Sequence, residues 1–271
     1  MPIQFVGGKS ATSESASYSV PLTGLTGGIA TTPAAGDMVI VFSGYPSTTN
    51  GTPGITAPSV HTKVADLYSN GSTVDANFDA SYFFAASTPE TSVTVTGIAN
   101  ASGCVILVFR GVDPTTPFDA TTTTIIGITG FDPNPPAITP VTAGAVVVAG
   151  GMLAVGLSIS TPTNAMPTGY TGYSVINVNA FSNGLVLSGA YKAGVSAGVA
   201  EDPGAFNNNY ASGTGFSWAA VTMVLRPIGG NIKVWNGSVW VAEPARHWNG
   251  SAWVTKPVKY WNGSSWVKPP Y

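Results

Sequence analysis

The residues of this chain best suited to binding chemistry are pairs of tryptophans that recur with basic residues near the C-terminus. Three similar units begin with W-N-G-S, and the leading and following tryptophans each recur every thirteen residues. An indole offers a broad flat ring with one N–H donor, and a neighbouring cation adds electrostatic attraction. Such rings stack on the faces of sugars or on a protein partner. The candidate residues, for an assembly face or a glycan-binding face, are Lys233, Trp235, Trp240, Arg246, Trp248, Trp253, Lys259, Trp261 and Trp266.

The Asn-Gly step in each unit predicts a β-hairpin. Asn-Gly between β-forming segments is the strongest short hairpin signal, because both central residues of a type I′ turn need positive φ. With Asn236-Gly237 as a two-residue loop, Trp235 would pair with Ser238 and Lys233 with Trp240. Strand pleating then places these four side chains on one face and the valines on the other. The sequence therefore predicts three tandem hairpins, each with two indoles and one cation on a single face.

The role of the indoles has two interpretations. An isolated two-stranded hairpin is marginal in water, so small hairpins must pack on each other, on the rest of the chain or on another chain. In the first interpretation the tryptophans form the core of that packing. In the second they form an exposed row beside the cations and contact a partner. Both hold if one tryptophan of each unit packs and the other is exposed.

The rest of the chain offers little for catalysis. Gly7-Gly8-Lys9-Ser10 resembles the end of a phosphate-binding loop, but Ile3 stands where that motif requires glycine. The spacing of Asp75, Asp79 and Glu90 supports neither a calcium site nor a glycosidase pair, and we expect a solvated loop there. His-Glu-x-x-His, Cys-x-x-Cys and Gly-x-Ser-x-Gly are absent from the sequence. We expect no enzyme, no metal and no cofactor.

The composition predicts an all-β protein. The chain has 33 glycines and 21 prolines, and charged residues make up only 8%. About a dozen short β-forming runs, separated by turn residues, are typical of a β-sandwich or jelly roll. Segments 38–43 and 105–110 are solidly apolar, which suits strands covered on both faces or buried between subunits. Segments 145–149 and 152–158 are predicted as separate strands.

Residues 227–230, Pro-Ile-Gly-Gly, mark the boundary between two parts of the chain. Residues 1–228 are predicted to form a jelly-roll-like β-sandwich, called the body below. Residues 229–271 are predicted to form a small appendage, the three hairpin repeats. The formal charge is about −6 in the body and about +4 in the appendage. The basic charge is too sparse to predict a nucleic-acid surface.

Cysteine use and hydropathy argue against a disulfide-stabilised protein and against a membrane protein. The single Cys104 lies in an apolar run, so we expect a buried thiol and no disulfide. The N-terminal residues lack the pattern of a secretory signal, and the longest apolar stretch, 144–159, is broken by glycines. The sequence predicts a protein made in a cytosol and not inserted into a membrane.

The repeat W-N-G-S-x-W-V, with basic residues before it and proline after it, resembles short C-terminal repeats of bacteriophage tail and other virion proteins. The body resembles jelly-roll domains of phage minor tail or fibre proteins in several segments. These are the opening F-V-G-G, Gly36-Asp37-Met-Val-Ile-Val, the run from Val105 to Asp113, and the closing segment from Trp218 to Pro227.

The resemblance implies a non-enzymatic virion component, made in the host cytoplasm and used in assembly and host-surface attachment. Its implied partners are other virion proteins, further copies of the same chain, often three, and a host-surface glycan. It implies no catalytic residue and no nucleic-acid partner. Two alternatives remain: a capsid decoration or head-fibre protein without a receptor role, and a stand-alone carbohydrate-binding module.

Overall fold

The structure is a computed structural model that describes residues 2–71, 74–99, 101–156, 165–179, 182–208, 216–228, 231–235, 237–238, 240–255, 260–261 and 264–267. Only the backbone is described at residues 178–179, 182, 231–235, 240–244, 255, 260–261 and 266–267. These described segments are strands, turns and loops, and they contain no helix, so none of them includes a helix that could cross a membrane. The predicted all-β class is confirmed.

Thirteen strands belong to the described part of the body, and they pair in antiparallel fashion. They are β1 (Gln4–Ser13), β2 (Ser17–Pro21), β3 (Met38–Ser47), β4 (Gly54–Ala57), β5 (Thr62–Ser69), β6 (Asp75–Phe84), β7 (Ser92–Thr96), β8 (Ser102–Arg110), β9 (Thr123–Gly127), β10 (Ala145–Val155), β11 (Thr171–Asn179), β12 (Ser182–Val195) and β13 (Trp218–Leu225).

Two five-stranded sheets form the sandwich. The first has the order β1-β8-β3-β6-β5 and the second has the order β11-β12-β10-β13-β9. Phe42 and Phe78 of the first sheet share one buried cluster with Met152, Leu187 and Met223 of the second. Burial of this apolar surface between the two sheets is the main source of stability of the sandwich. The predicted β-sandwich is therefore confirmed.

A third layer covers the outer face of the first sheet. The three-stranded sheet β2-β7-β4 contributes Val20, Val93 and Ile55 to a second buried cluster. Val41 of β3 and Ile106 of β8 belong to this cluster, whereas their chain neighbours face the main core. These runs are solidly apolar because both faces of the first sheet are covered, which confirms the prediction of doubly covered strands.

The two halves of the body share one strand order. In the first half the edge strand β1 pairs with the closing strand β8, followed by β3, β6 and β5. Read in the same direction, the second half runs β9, β13, β10, β12 and β11. A jelly roll alternates its strands between two sheets, whereas each sheet here is built from one continuous half of the chain, so the sandwich is confirmed and the jelly-roll connectivity is not. The sandwich consists of two similar half-units packed face to face.

Residues 145–155 form one strand, β10, which corrects the prediction of two strands separated at Gly150-Gly151. Both glycines lie inside the strand because neighbouring rings occupy the space of a side chain. A Cβ at Gly150 would lie 2.5 Å from Phe42, and one at Gly151 would lie 2.9 Å from Phe206. Close approach of an aromatic ring to the backbone is one of the positional meanings of glycine in a strand. Residues 157–158, at the end of the predicted second strand, lie outside the described residues.

Three separate two-stranded sheets follow the body, as the repeat predicted. Their strands are β14 (Asn231–Trp235) with β15 (Trp240–Pro244), β16 (Arg246–Trp248) with β17 (Trp253–Thr255), and β18 (Tyr260–Trp261) with β19 (Trp266–Val267). Each sheet is an antiparallel hairpin built from one copy of the repeat.

Candidate functional site

The structure describes the nine candidate residues to different extents. Arg246, Trp248 and Trp253, in the second hairpin, are described with their side chains. The backbone alone is described for Lys233, Trp235, Trp240, Trp261 and Trp266, and Lys259 lies outside the described residues. The second hairpin is therefore the unit in which the arrangement of these side chains is described.

The observed register corrects the predicted pairing. In the first hairpin Trp235 lies opposite Trp240, Val234 opposite Val241 and Lys233 opposite Ala242. The predicted pairs, Trp235 with Ser238 and Lys233 with Trp240, are wrong. Ser238 lies in the loop between the strands and belongs to neither of them.

The prediction that the two indoles share a face survives this correction. A slip of one residue turns side chains to the other face of a strand, but here each partner moves by two residues, so the alternation is kept. In the second hairpin Trp248 lies directly opposite Trp253, and in the third Trp261 lies opposite Trp266. The two tryptophans of a unit are cross-strand neighbours, and their Cβ atoms are about 4.5–5.5 Å apart in such pairs.

The side chain of Asn249 explains the longer loop. Its Oδ1 atom accepts hydrogen bonds from the backbone N–H groups of Ser251 (2.9 Å) and Ala252 (2.8 Å). The N–H of Asn249 donates to the carbonyl of Ala252 at 3.0 Å. Gly250 has φ of 102°, a value that favours glycine. Asparagine therefore closes the turn with its side chain, and four residues separate Trp248 from Trp253 where a type I′ turn has two, which is why the pairing prediction failed.

Trp248 and Trp253 form an exposed aromatic pair. Their ring centroids lie 5.9 Å apart with an interplanar angle of 61°, an edge-to-face arrangement. Trp248 is 53% exposed and Trp253 is 66% exposed. In the second hairpin, each indole uses part of its surface against the other and leaves the rest open to a partner.

Arg246 adds a cation to the same face of the second hairpin. It lies two residues before Trp248 on β16, so both side chains are on one side of the strand. Its side chain is exposed and makes no ion pair with a residue that the structure describes. Two open indoles and one exposed guanidinium can stack on a flat ligand and pair with an anion.

The carboxylates of the body occupy a different environment from the predicted one. Asp75 and Asp79 are buried on β6, so the prediction of a solvated loop is wrong for both, and only Glu90 lies in a loop. Asp75, Asn77, Asp79 and Ser81 alternate with apolar residues and share one face of the strand. This alternation of polar and apolar residues is the signal in the sequence that indicates a strand with one polar face.

Lys63 neutralises the deepest of these carboxylates. Its Nζ atom lies 3.2 Å from Asp79 Oδ2 and 2.8 Å from Asp66 Oδ2, and Ser81 Oγ donates to Asp79 Oδ1 at 2.7 Å. Burial raises the pKa of Asp79 to about 6, although the hydrogen bond from Ser81 and the charge of Lys63 both act to lower it. The arrangement joins β5 to β6 on one sheet face.

Cys104 and His61 of the body are held in structural contacts. Cys104 is buried, as expected, and burial raises the pKa of its thiol to about 12, so it is not a nucleophile at neutral pH. His61 Nδ1 lies within hydrogen-bond distance, 2.9 Å, of the Pro58 carbonyl. In the described part of the chain, no three His, Cys, Asp or Glu side chains are grouped to hold a metal ion.

Comparison with protein-family models, curated proteins and solved structures gave no match to this chain. The fold and the site together define an all-β sandwich protein followed by hairpins, the second of which carries an exposed aromatic pair.

Proposed function

We propose that this protein is a non-enzymatic structural component of a bacteriophage virion, made in the host cytoplasm and incorporated as a tail-associated fibre or adhesin. In this proposal the sandwich body is the scaffold. The hairpin repeats make the contacts used in assembly and in attachment to the host surface.

One observation carries this proposal: the exposed pair of Trp248 and Trp253 in a unit that occurs three times. Tryptophans exposed to this degree leave apolar surface in contact with water, and large aromatic side chains are enriched where proteins bind partners. Repetition adds avidity, because linked copies raise the effective concentration of the second and third contacts. A repeated aromatic surface suits an adhesive element better than a catalytic one.

The polar groups of the body support a structural role for that part. The buried aspartates at positions 37, 79 and 119 each lie in an ion pair with a lysine or arginine. Carboxylates held in this way connect strand ends and sheet faces within the body.

The proposed assembly includes further copies of this chain, for which β9 provides a surface. This strand is the edge of the second sheet, and its residues Ile125 and Ile126 are 42% and 49% exposed. Segment 120–130 contains no charged residue and no proline. Edge strands without such protection readily pair with another chain. The Ile126→Lys variant is expected to reduce the oligomer mass measured by light scattering, whereas Ile29→Lys, at an exposed position outside β9, is the matched control.

Adsorption measurements test the attachment function. The full-length protein is incubated with cells of the host bacterium, and the bound fraction is compared with that of the Trp248→Ala/Trp253→Ala variant. Loss of binding by the variant, with an unchanged unfolding transition of the body, supports attachment through the hairpins. Equal binding by both proteins would contradict it.

Particles that lack residues 229–271 separate attachment from assembly. Intact particles that no longer adsorb to cells support the adhesin role. Absence of the protein from the particle would instead support the capsid decoration or head-fibre alternative, in which the hairpins attach the body to the virion. Glycan binding by a protein that no particle contains would favour a stand-alone carbohydrate-binding module.

A further inference from the structure

The basic side chains of the body are all engaged by oxygen atoms of the same chain. Four form ion pairs with carboxylates, and the fifth donates to a backbone carbonyl. The contacts are Lys63 with Asp66 and Asp79, Arg110 with Asp37, Lys192 with Glu201, Arg226 with Asp119, and Lys9 with the carbonyl of Thr23. The four charges in ion pairs are thus balanced internally, and the ammonium group of Lys9 is held by a backbone carbonyl.

The hairpin region has a different charge balance. Residues 229–271 contain five basic residues and one acidic residue, Glu243. One basic residue precedes each leading tryptophan by two positions: Lys233, Arg246 and Lys259. Arg246 is exposed and, among the residues described, has no ion-pair partner. This positive charge is available to a ligand that carries negative charge.

We propose that the hairpins bind an acidic glycan, with a sugar ring stacked on the indoles and a carboxylate paired with the guanidinium of Arg246. This ligand class rests on the attachment function proposed above. Alternate residues on a strand are about 7 Å apart, so Arg246 and Trp248 span the dimensions of one sugar ring and its carboxylate. The guanidinium matches a carboxylate in two parallel hydrogen bonds.

The spacing of the cations favours a glycan over a single-stranded nucleic acid. Each nucleotide carries a phosphate, and proteins that bind nucleic acids neutralise many of them with clustered Lys and Arg. The repeat offers one such cation for each thirteen-residue unit. An acidic glycan offers a carboxylate and the uncharged face of the same sugar ring, so a single cation beside two indoles is sufficient for each contact.

Binding of the full-length protein to polygalacturonate tests this ligand class, with carboxyl-reduced polygalacturonate as the neutral control. We expect binding to the acidic polymer that weakens as salt is raised, and at least tenfold weaker binding to the reduced polymer. Arg246→Gln is expected to weaken binding about two- to fivefold, the range of one exposed ion pair. Lys9→Gln, which removes the same charge from the body, is expected to leave it unchanged. Trp248→Ala/Trp253→Ala is expected to weaken it at least about tenfold.

Three results would overturn the proposal. They are equal affinity for the acidic and the reduced polymer, equal effects of Arg246→Gln and Lys9→Gln, and tighter binding to single-stranded oligothymidine than to polygalacturonate. Arg246→Gln changes one exposed side chain, so its result stands even if the double tryptophan variant fails to fold.

The failure of this proposal is distinguishable from failure of the attachment function. A protein that adheres to host cells but not to polygalacturonate contradicts only the ligand class. Normal adsorption of particles that lack the hairpins contradicts the attachment function, whatever the isolated protein binds.

Discussion

Arg110 donates from Nε and Nη2 to the two carboxylate oxygens of Asp37, with both distances 2.8 Å. The pair connects the end of β8 to the turn before β3, where Asp37 also accepts from the N–H of Ala34. The second half of the body has a counterpart, since Arg226 follows β13 and lies 3.2 Å from Asp119. Asp119 itself precedes β9, but its carboxylate accepts from the N–H groups of Val141 and Thr142 in the turn before β10. In both halves a buried aspartate thus fixes the closing strand against the turn that precedes the central strand.

Asp37→Asn is expected to lower the free energy of unfolding by about 2 kcal/mol. Removing one partner of a fully buried ion pair costs more than this. Arg110 is partly exposed, so water can hydrate its guanidinium when the carboxylate of Asp37 is lost, and the expected cost is lower. Urea denaturation measures the change. Asp113→Asn is the matched control, because Asp113 is on the surface and bonds backbone N–H groups through one oxygen that asparagine retains. Equal effects of the two variants would contradict the structural role of the pair.

The raised pKa of Asp79 predicts a specific pH dependence of stability. In the folded protein the carboxyl group of Asp79 has a pKa of about 6, whereas the ordinary pKa of an aspartate is 3.8. The folded state therefore binds the proton of this carboxyl group more tightly than the unfolded state does. The resulting stabilisation is complete below pH 3.8 and is lost as the pH rises through about 6. The difference is on the order of 1–3 kcal/mol.

Asp79→Asn removes the titrating group, so its free energy of unfolding should vary less between pH 4 and pH 6.5 than that of the wild type. Denaturant titrations at these two pH values provide the measurement. Asp202→Asn, at an exposed site, serves as the control and should keep the wild-type slope. If the free energy of unfolding of Asp79→Asn changes between these pH values as much as that of the wild type, a group other than Asp79 causes the pH dependence.

Gly150→Ala is expected to destabilise the sandwich by about 1–3 kcal/mol, because the new methyl group would meet the ring of Phe42 in a packed core. Gly156→Ala is the matched control, since the nearest atom to its added Cβ, on Val74, lies 3.9 Å away. Thermal unfolding compares the two variants. Similar transition temperatures would indicate that Phe42 moves aside without loss of packing.

Asn249→Ala is expected to weaken the second hairpin by about 1 kcal/mol, because two backbone N–H groups lose their acceptor in a marginally stable element. The exciton signal of the coupled indoles Trp248 and Trp253 in circular dichroism should decrease. Asn249→Asp keeps the accepting oxygen and should preserve most of that signal. Loss of the signal in both variants would mean that the amide nitrogen, not the oxygen, closes the loop.

Much of the fold follows from the local sequence. The thirteen-residue repeat is enough to predict three hairpins, because Asn-Gly turns and β-forming flanks act over a few residues. Solidly apolar runs such as Met38-Val-Ile-Val-Phe42 correctly indicate strands covered on both faces. The side-by-side placement of the two indoles of a unit also follows, since strand alternation survives a two-residue error in register.

The tertiary structure decided what depends on contacts distant in sequence. Asp79 is buried because Lys63, on the neighbouring strand, neutralises it, and the spacing of carboxylates alone does not reveal that partner. Gly150 continues a strand because the ring of Phe42 occupies the space beside it. The exposure of Trp248 and Trp253 likewise depends on what surrounds the hairpin. Local pattern therefore determined the elements and their faces, and packing between distant segments determined which groups are buried, paired or left open to a partner.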